Sequence, residues 1–514
     1  MSVNLTVAAH TNVGKTTLVR TLLKRDIGEV ADRAHVTETA ERHTLLDTEA
    51  GDALYLWDTP GFGDSARLLK RLRNSGNPIG WLQTQVWDRW VDRPFYCSQQ
   101  AVRNVRDEGD VVLYLVNAAE DPAAAAYVEA ELQILQWIGK PVLLLLNQAG
   151  PPRSREAEAA DEARWSRQLA LHVRDRSVIT LDAFARCWVQ EDRLLREAGS
   201  LLPPQKQEEL TRLRAAWRAR NLATFDASMR VLAEHLAAVA LDVEVVPEKL
   251  DPAAFLQRAR HWLSRARGEK GEERAVEAAM ASLASRLDAR LRESTDKLIA
   301  LHGLAGRAQQ RILERTAGQF EVATPADVAG TGLVGGVLTG AAGGLAADLS
   351  AGGLTLGAGM LIGALLGALG AGGAARAYNL IQGQQDGRVR WSPEFLTRQA
   401  SAALLRYLAV AHYGRGRGDW TEGEAPPHWQ PLVEEAVRAH EPALRAAWSL
   451  ADKPGTVPDL PKPGTVPELG AEDRGLSPVR GLQRELAQAA RELLQRLYPE
   501  AREIFAEQGS AGPA

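Results

Sequence analysis

The chain has 514 residues, too many for one hydrophobic core, so several domains are expected. Charged residues make up 25% of it and nearly cancel, leaving a formal net charge of -4, which removes any global case for a nucleic-acid binder. Two cysteines, Cys97 and Cys187, without metal-ligand spacing exclude a disulfide scaffold or a thiolate metal centre and predict buried thiols in a reducing compartment. No charged-then-apolar leader precedes the first apolar run, so no cleavable signal peptide is expected and the N-terminal domain is assigned to the cytoplasm.

Residues 3–8 form an apolar run that reads as a strand. Ala9-His10-Thr11-Asn12-Val13-Gly14-Lys15-Thr16-Thr17 follows and, apart from Ala9, fits G-x-x-x-x-G-K-[ST], a loop that wraps nucleotide phosphates. Its backbone N–H groups form an anion nest at the head of a helix expected over 15–24. Lys15 supplies a cation for the β/γ-phosphates, and the Thr16 hydroxyl supplies a ligand for Mg²⁺. Ala9 stands where the pattern has Gly, which requires a negative φ at that residue. After a polar stretch, residues 43–47 and 53–57 read as a hairpin whose second strand ends in Asp58-Thr59-Pro60-Gly61. A carboxylate at a strand end suits the water shell of Mg²⁺, and the Gly61 N–H can approach a γ-phosphate without a side chain in the way. Residues 111–116 and 142–146 are short apolar runs, as expected of strands buried on both faces. Helical spacing over 123–137 and a last strand near 177–181 complete a doubly wound α/β domain.

On these motifs, residues 1 to 190 resemble the Era/MnmE branch of the translation-factor-class P-loop GTPases. Three details carry the resemblance: Asn12 within A-x-x-N-x-G-K, Thr39 placed 19 residues before Asp58, and Phe62 directly after D-T-P-G. The resemblance implies GTP as ligand, with Mg²⁺ held by Thr16, Thr39 and Asp58 and K⁺ held by Asn12. It implies Lys15, Thr39 and Gly61 as the catalytic set, and a nucleotide-dependent dimer of GTPase domains. Thr37 competes with Thr39 for the metal-ligand role. The base-reading motif N-K-x-D departs from the pattern, since Asn147 is followed by Gln148, Ala149 and Gly150. Loss of the acceptor Asp removes much of the discrimination against adenine. The companion loop is represented by Asp182 and Ala183.

About 50 residues separate Gly61 from Val111, first basic (Arg67, Lys70, Arg71, Arg73) and then aromatic (Trp81, Trp87, Trp90, Phe95, Tyr96). A helical insertion over 65–105, packed by its rings and moving with the nucleotide state, is favoured over a single-strand nucleic-acid groove.

The rest of the chain reads as helix, with a domain order of 1–245, 246–326, 327–377, 378–450, 451–478 and 479–514. Between Val328 and Ala375 there is one charge, Asp348, among Gly, Ala and Leu, with Gly332, Gly336, Gly340 and Gly344 repeating every fourth residue. Such spacing lets apolar helices pack closely in a bilayer, so 327–377 is expected to be a membrane hairpin contacting lipid. Arginines on both flanks place its ends on the cytoplasmic side of the inner membrane. K-P-G-T-V-P, beginning at Lys453 and again at Lys462, marks a linker before a final helix over 482–507 that docks or self-associates. The expected whole is a membrane-associated GTPase switch joined to a helical region of unknown function. The competing readings are a nucleotide-gated pseudo-GTPase scaffold and a GTPase of RNA modification or ribosome assembly.

Overall fold

The computed structural model describes residues 2–24, 39–74, 77, 80, 92–149, 155–170, 178–181, 183, 186–246, 274–304, 378–382, 387–413, 426, 428–451 and 478–510. The chain forms two compact units, one from Met1–Ala223, Ala411–Glu422 and Gln495–Ala514, the other from Thr224–Val410 and Gly423–Leu494.

The first unit is built on a six-stranded sheet of order β2-β3-β1-β4-β5-β6. In chain order its elements are β1 (Ser2–Ala9), α1 (Lys15–Leu23), β2 (Glu41–Asp47), β3 (Ala53–Asp58), α2 (Ser65–Arg73) and α3 (Arg93–Asp107). Then come β4 (Val111–Asn117), α4 (Ala126–Ile138), β5 (Val142–Asn147), α5 (Arg155–Gln168), β6 (Val178–Thr180), α6 (Trp188–Ser200) and the long α7 (Pro204–Ala240), which belongs to this unit as far as Ala223. β1 pairs parallel with both β3 and β4, while β2 runs antiparallel to β3 as the hairpin spacing predicts. The strand order therefore reverses at β1, and the crevice beyond its carboxyl end is where such sheets bind ligands. Alternation along β4 explains its all-apolar composition. Val111, Leu113 and Leu115 enter the core on one face, whereas Val112, Tyr114 and Val116 enter the core on the other. Each such side chain contributes about 1.5–3 kcal/mol by leaving water, so the sheet is a rigid platform for the loops at its edge.

The insertion after β3 is helical where it is described. Phe95 is buried in α3, and the Arg67 and Arg71 guanidiniums of α2 lie 4.3 and 4.7 Å from its ring centroid. Arg67 also pairs with Asp92 at 3.0 Å, so part of the basic-aromatic stretch is spent on internal packing. Trp81, Trp87 and Trp90 lie outside the described residues. Cys97 and Cys187 are buried and outside any disulfide, and burial pushes the Cys187 thiol up to about 12.

The second unit contains β7 (Val243–Val246), α8 (Arg274–Leu301), β8 (Tyr378–Gln382), β9 (Gly387–Trp391), α9 (Pro393–Ala411), α10 (Trp429–Ala451) and most of α11 (Pro478–Leu497). Its three-stranded antiparallel sheet, β7-β9-β8, adds strands to the mostly helical reading, with β7 at the end of the expected 1–245 domain and β8 and β9 within 378–450. These strands span four or five residues each, too short for periodicity to register, and β7 finds its partner β9 far along the chain, while β8 and β9 are sequence neighbours. The final helix is also corrected. It breaks into α11 and α12 (Ala501–Ser510) around Pro499, which has no N–H to continue the ladder. The Gly-rich stretch 328–375 and the linker between Ala451 and Pro478 lie outside the described residues. Among the described residues, no helix is long and apolar enough to cross a membrane.

α12 docks within the first unit. Arg214 and Arg218 each grip Asp192 through two hydrogen bonds of 2.7–3.0 Å, and both also reach Glu503 of α12. Phe505 packs edge-on against Trp188 at the start of α6, 6.0 Å between centroids. Asp192 is 1% exposed, so its removal takes the shared buried partner from two largely buried guanidiniums and leaves them Glu503 alone. Asp192→Ala should cost about 3–5 kcal/mol, read as a lower thermal midpoint of the full chain. An unchanged midpoint would show that Glu503 alone suffices for both arginines.

Candidate functional site

The loop after β1 takes its shape from two left-handed residues, Asn12 at φ +66° and Gly14 at φ +91°. Asn tolerates this region through its short polar side chain, and Gly has no Cβ to clash. A Cβ on Gly14 would also stand 2.8 Å from the Asn147 amide nitrogen. Ala9 closes β1 and is not among the residues with positive φ, so Ala replaces Gly there without strain. α1 then starts at Lys15, with its first turn at the mouth of the loop.

The Asp58 turn is brought directly onto this loop. The Phe62 N–H donates to the Ala9 carbonyl at 2.9 Å, and the Thr11 N–H donates to the Phe62 carbonyl at 3.2 Å. The Thr16 hydroxyl donates to Asp58 Oδ2 at 2.7 Å, and the Thr59 hydroxyl donates to the Val7 carbonyl at 2.6 Å. Gly61 is required by close approach, because a Cβ there would sit 2.9 Å from Lys15 Nζ and 3.0 Å from Thr11 Cα. Lys15 Nζ donates to the His10 carbonyl at 3.2 Å. Burial pulls the Lys15 ammonium below its ordinary value, against the Asp58 and Glu131 carboxylates that hold it up. Burial likewise raises Asp58 to about 6, opposed by the Thr16 hydroxyl and the Lys15 cation. Asp58 Oδ1 is buried with no hydrogen-bond partner. An orphaned carboxylate oxygen beside a Thr hydroxyl suits the water shell of a hard divalent cation, so these residues fit Mg²⁺.

Asn147 is used internally. It is 0% exposed, its amide nitrogen donates to the Val13 carbonyl at 2.7 Å, and its amide oxygen accepts the Ala183 N–H at 2.8 Å. The Ala183 carbonyl in turn accepts from Thr21 of α1 at 2.9 Å. Asn147 thus clamps the phosphate loop to the segment after β6. Gln148 follows in a left-handed conformation at φ +57°, while Gly150 and Asp182 lie outside the described residues. Asp161, a nearby carboxylate, pairs with Arg164 on its own helix at 3.3 Å.

Thr39 is exposed just before β2, two residues ahead of Glu41, which pairs in register with Asp58. Thr37 lies outside the described residues. The sequence reading missed Glu131 of α4. This fully buried carboxylate accepts from His10 in the loop, from Ser65 at the head of α2 and from Tyr114 on β4. Nothing local marks it, since Glu at a helical position ordinarily faces water.

Residues 167–455 match the family described as a domain of unknown function (DUF3482), which is more than half of the chain. The chain belongs to that family. Ahead of it, residues 5–148 match the family described as 50S ribosome-binding GTPase, so the first unit carries a P-loop GTPase domain. No curated protein matches the chain. Among solved structures, Era of Aquifex aeolicus bound to GDP.AlF4- is similar at 14% identity and a TM-score of 0.29, covering 57% of this chain and 89% of that one. NFeoB of S. thermophilus bound to mGMPPNP matches at 12% identity and a TM-score of 0.22, covering 58% and 95%. An oligomerised bacterial dynamin pair matches at 9% identity and a TM-score of 0.25, covering 99% and 75%.

Gly14→Ala tests the loop geometry directly. Strain at φ +91° and the clash with Asn147 should destabilise the first unit by about 1–3 kcal/mol and abolish phosphate binding. A variant with unchanged melting and unchanged nucleotide affinity would refute this geometry.

Proposed function

We propose that the chain is a GTP-binding switch that hydrolyses GTP with Mg²⁺ and a monovalent cation. The observation that carries this is the Thr16–Asp58 hydrogen bond of 2.7 Å, which joins two motifs 42 residues apart at the carboxyl edge of the sheet. Thr16, Asp58 and Thr39 would hold Mg²⁺, and Asn12 would hold K⁺. When bound, such cations neutralise charge that builds on the transferring phosphoryl group. Lys15 contributes a desolvated ammonium for the β/γ-phosphates, and the Gly61 N–H donates toward the γ-phosphate. Asn147 keeps the loop and the Ala183 segment at a fixed spacing, a base-side role that survives loss of the rest of the motif. Guanine preference without the motif Asp should be weaker than in a GTPase that has it.

The alternative is a nucleotide-gated scaffold with little turnover, and the altered base motif, Asn147 followed by Gln148, Ala149 and Gly150, favours it. Titration of the full chain with mant-GTP, followed by turnover in KCl and in NaCl, separates the two readings. Lys15→Ala should abolish binding, and wild-type turnover should be faster in KCl. Binding without turnover in either salt would leave the scaffold reading, and binding undiminished in Lys15→Ala would overturn both.

The same switch is proposed to sit on the cytoplasmic face of a membrane through 328–375, a reading supported by the composition of that stretch. The full chain should then pellet with membranes and resist carbonate extraction, while deletion of 327–376 should release it with nucleotide binding intact. A full-length protein that is monodisperse without detergent would overturn membrane insertion.

A further inference from the structure

The buried carboxylate of Glu131 joins the loop after β1 to the head of α2. Its Oε2 accepts from the Tyr114 hydroxyl at 2.7 Å, which ties it to the rigid sheet. Its Oε1 accepts from two groups at once, the Ser65 hydroxyl and His10 Nδ1, the latter at 2.7 Å. A carboxylate only accepts, so His10 carries its proton on Nδ1. The His10 ring is held from the other side by Tyr127, 4.6 Å between centroids, whose hydroxyl donates to Glu120 at 2.7 Å. Ser65 heads α2, and His10 precedes the left-handed Asn12 of the phosphate loop. Between these two contacts lies the Phe62 backbone bridge to Ala9 and Thr11.

We propose that Glu131 is a positioning residue that couples the phosphate loop to α2, so that the Ser65–Glu131–His10 link sets how strongly the site distinguishes a nucleoside triphosphate from a diphosphate. This rests on the nucleotide-binding reading above. A third phosphate attracts the Gly61 N–H and Lys15, and Gly61 lies four residues before Ser65 on a segment with little slack. Any shift of Gly61 is therefore felt at Ser65. Glu131 is fully buried, so a donor that leaves it is not replaced by water. Two positions of Ser65 then differ in energy through one shared acceptor. The loop carrying His10 shares that acceptor and registers the difference.

The test measures dissociation rates of mant-GDP and mant-GMPPNP from the full chain with Mg²⁺, for the wild type, Ser65→Ala, Glu131→Gln and the double variant. The ratio of the two rates is the readout, since a purely structural role would change both rates alike. Each single substitution should reduce the ratio by about tenfold, a usual size for coupling between sites, and the double variant should reduce it no further. An unchanged ratio in Ser65→Ala overturns the proposal even where Glu131→Gln fails to fold. Equal shifts for both nucleotides, or additive effects in the double variant, overturn it as well. A wild type that binds neither probe fails at the earlier step and takes both readings with it.

Discussion

Phe62 exchanges two backbone hydrogen bonds with the phosphate loop, donating to Ala9 and accepting from Thr11, and the rest of the site depends on that bridge. It is made of main chain, so it fixes the loop against the Asp58 turn whatever side chains surround it. Its consequences are local and steric. Gly61 is pressed against Lys15 so closely that no Cβ fits, and Asp58 comes within hydrogen-bond reach of Thr16. The Phe62 ring, fully buried beneath the bridge, contributes apolar packing where a polar side chain would have to be solvated. The same residue therefore fixes the geometry and removes a water-orienting group.

A second clamp acts on the opposite side of the loop. Asn147 spans the Val13 carbonyl and the Ala183 N–H with both ends of one amide, and Thr21 holds the Ala183 carbonyl. Fully buried amides need every polar atom satisfied, and here the two contacts meet that need without a ligand. This accounts for an Asn retained within an otherwise altered base motif. Its role in folding the loop uses only its own amide and needs neither Gln148 nor Ala149.

Most of the first unit was legible because its signals are local. An apolar run before G-K-T, a hairpin spacing ahead of D-T-P-G and all-apolar runs for β4 and β5 each follow from period and burial over a few residues. The parts that were not legible are long-range. Glu131 looks like a solvated helix residue until His10, Ser65 and Tyr114 converge on it from three other elements. β7, β8 and β9 are too short to announce themselves, and their stability comes from pairing rather than from sequence. The break at Pro499 was visible in the residue itself, but the regular leucine spacing on either side of it suggested a single helix.

The first unit is assembled from three separate stretches of the chain. After the first unit's opening segment, the chain returns to it at Ala411–Glu422 and again at Gln495–Ala514. The two returning segments meet each other through His412 and Tyr498, and His412 meets Arg186 beyond β6. The Arg186 N–H donates to the His412 carbonyl at 3.2 Å, and the His412 ring is hydrogen-bonded to the Tyr498 hydroxyl at 2.6 Å. The Arg186 side chain is buried against Glu191 and also donates to the Thr21 carbonyl of α1. A short path of hydrogen bonds thus runs from Tyr498 through His412 and Arg186 to the helix that begins at Lys15. The unit that binds phosphates is completed by segments whose flanking chain belongs to the second unit, so the nucleotide fold cannot be cut cleanly at the end of its own sheet.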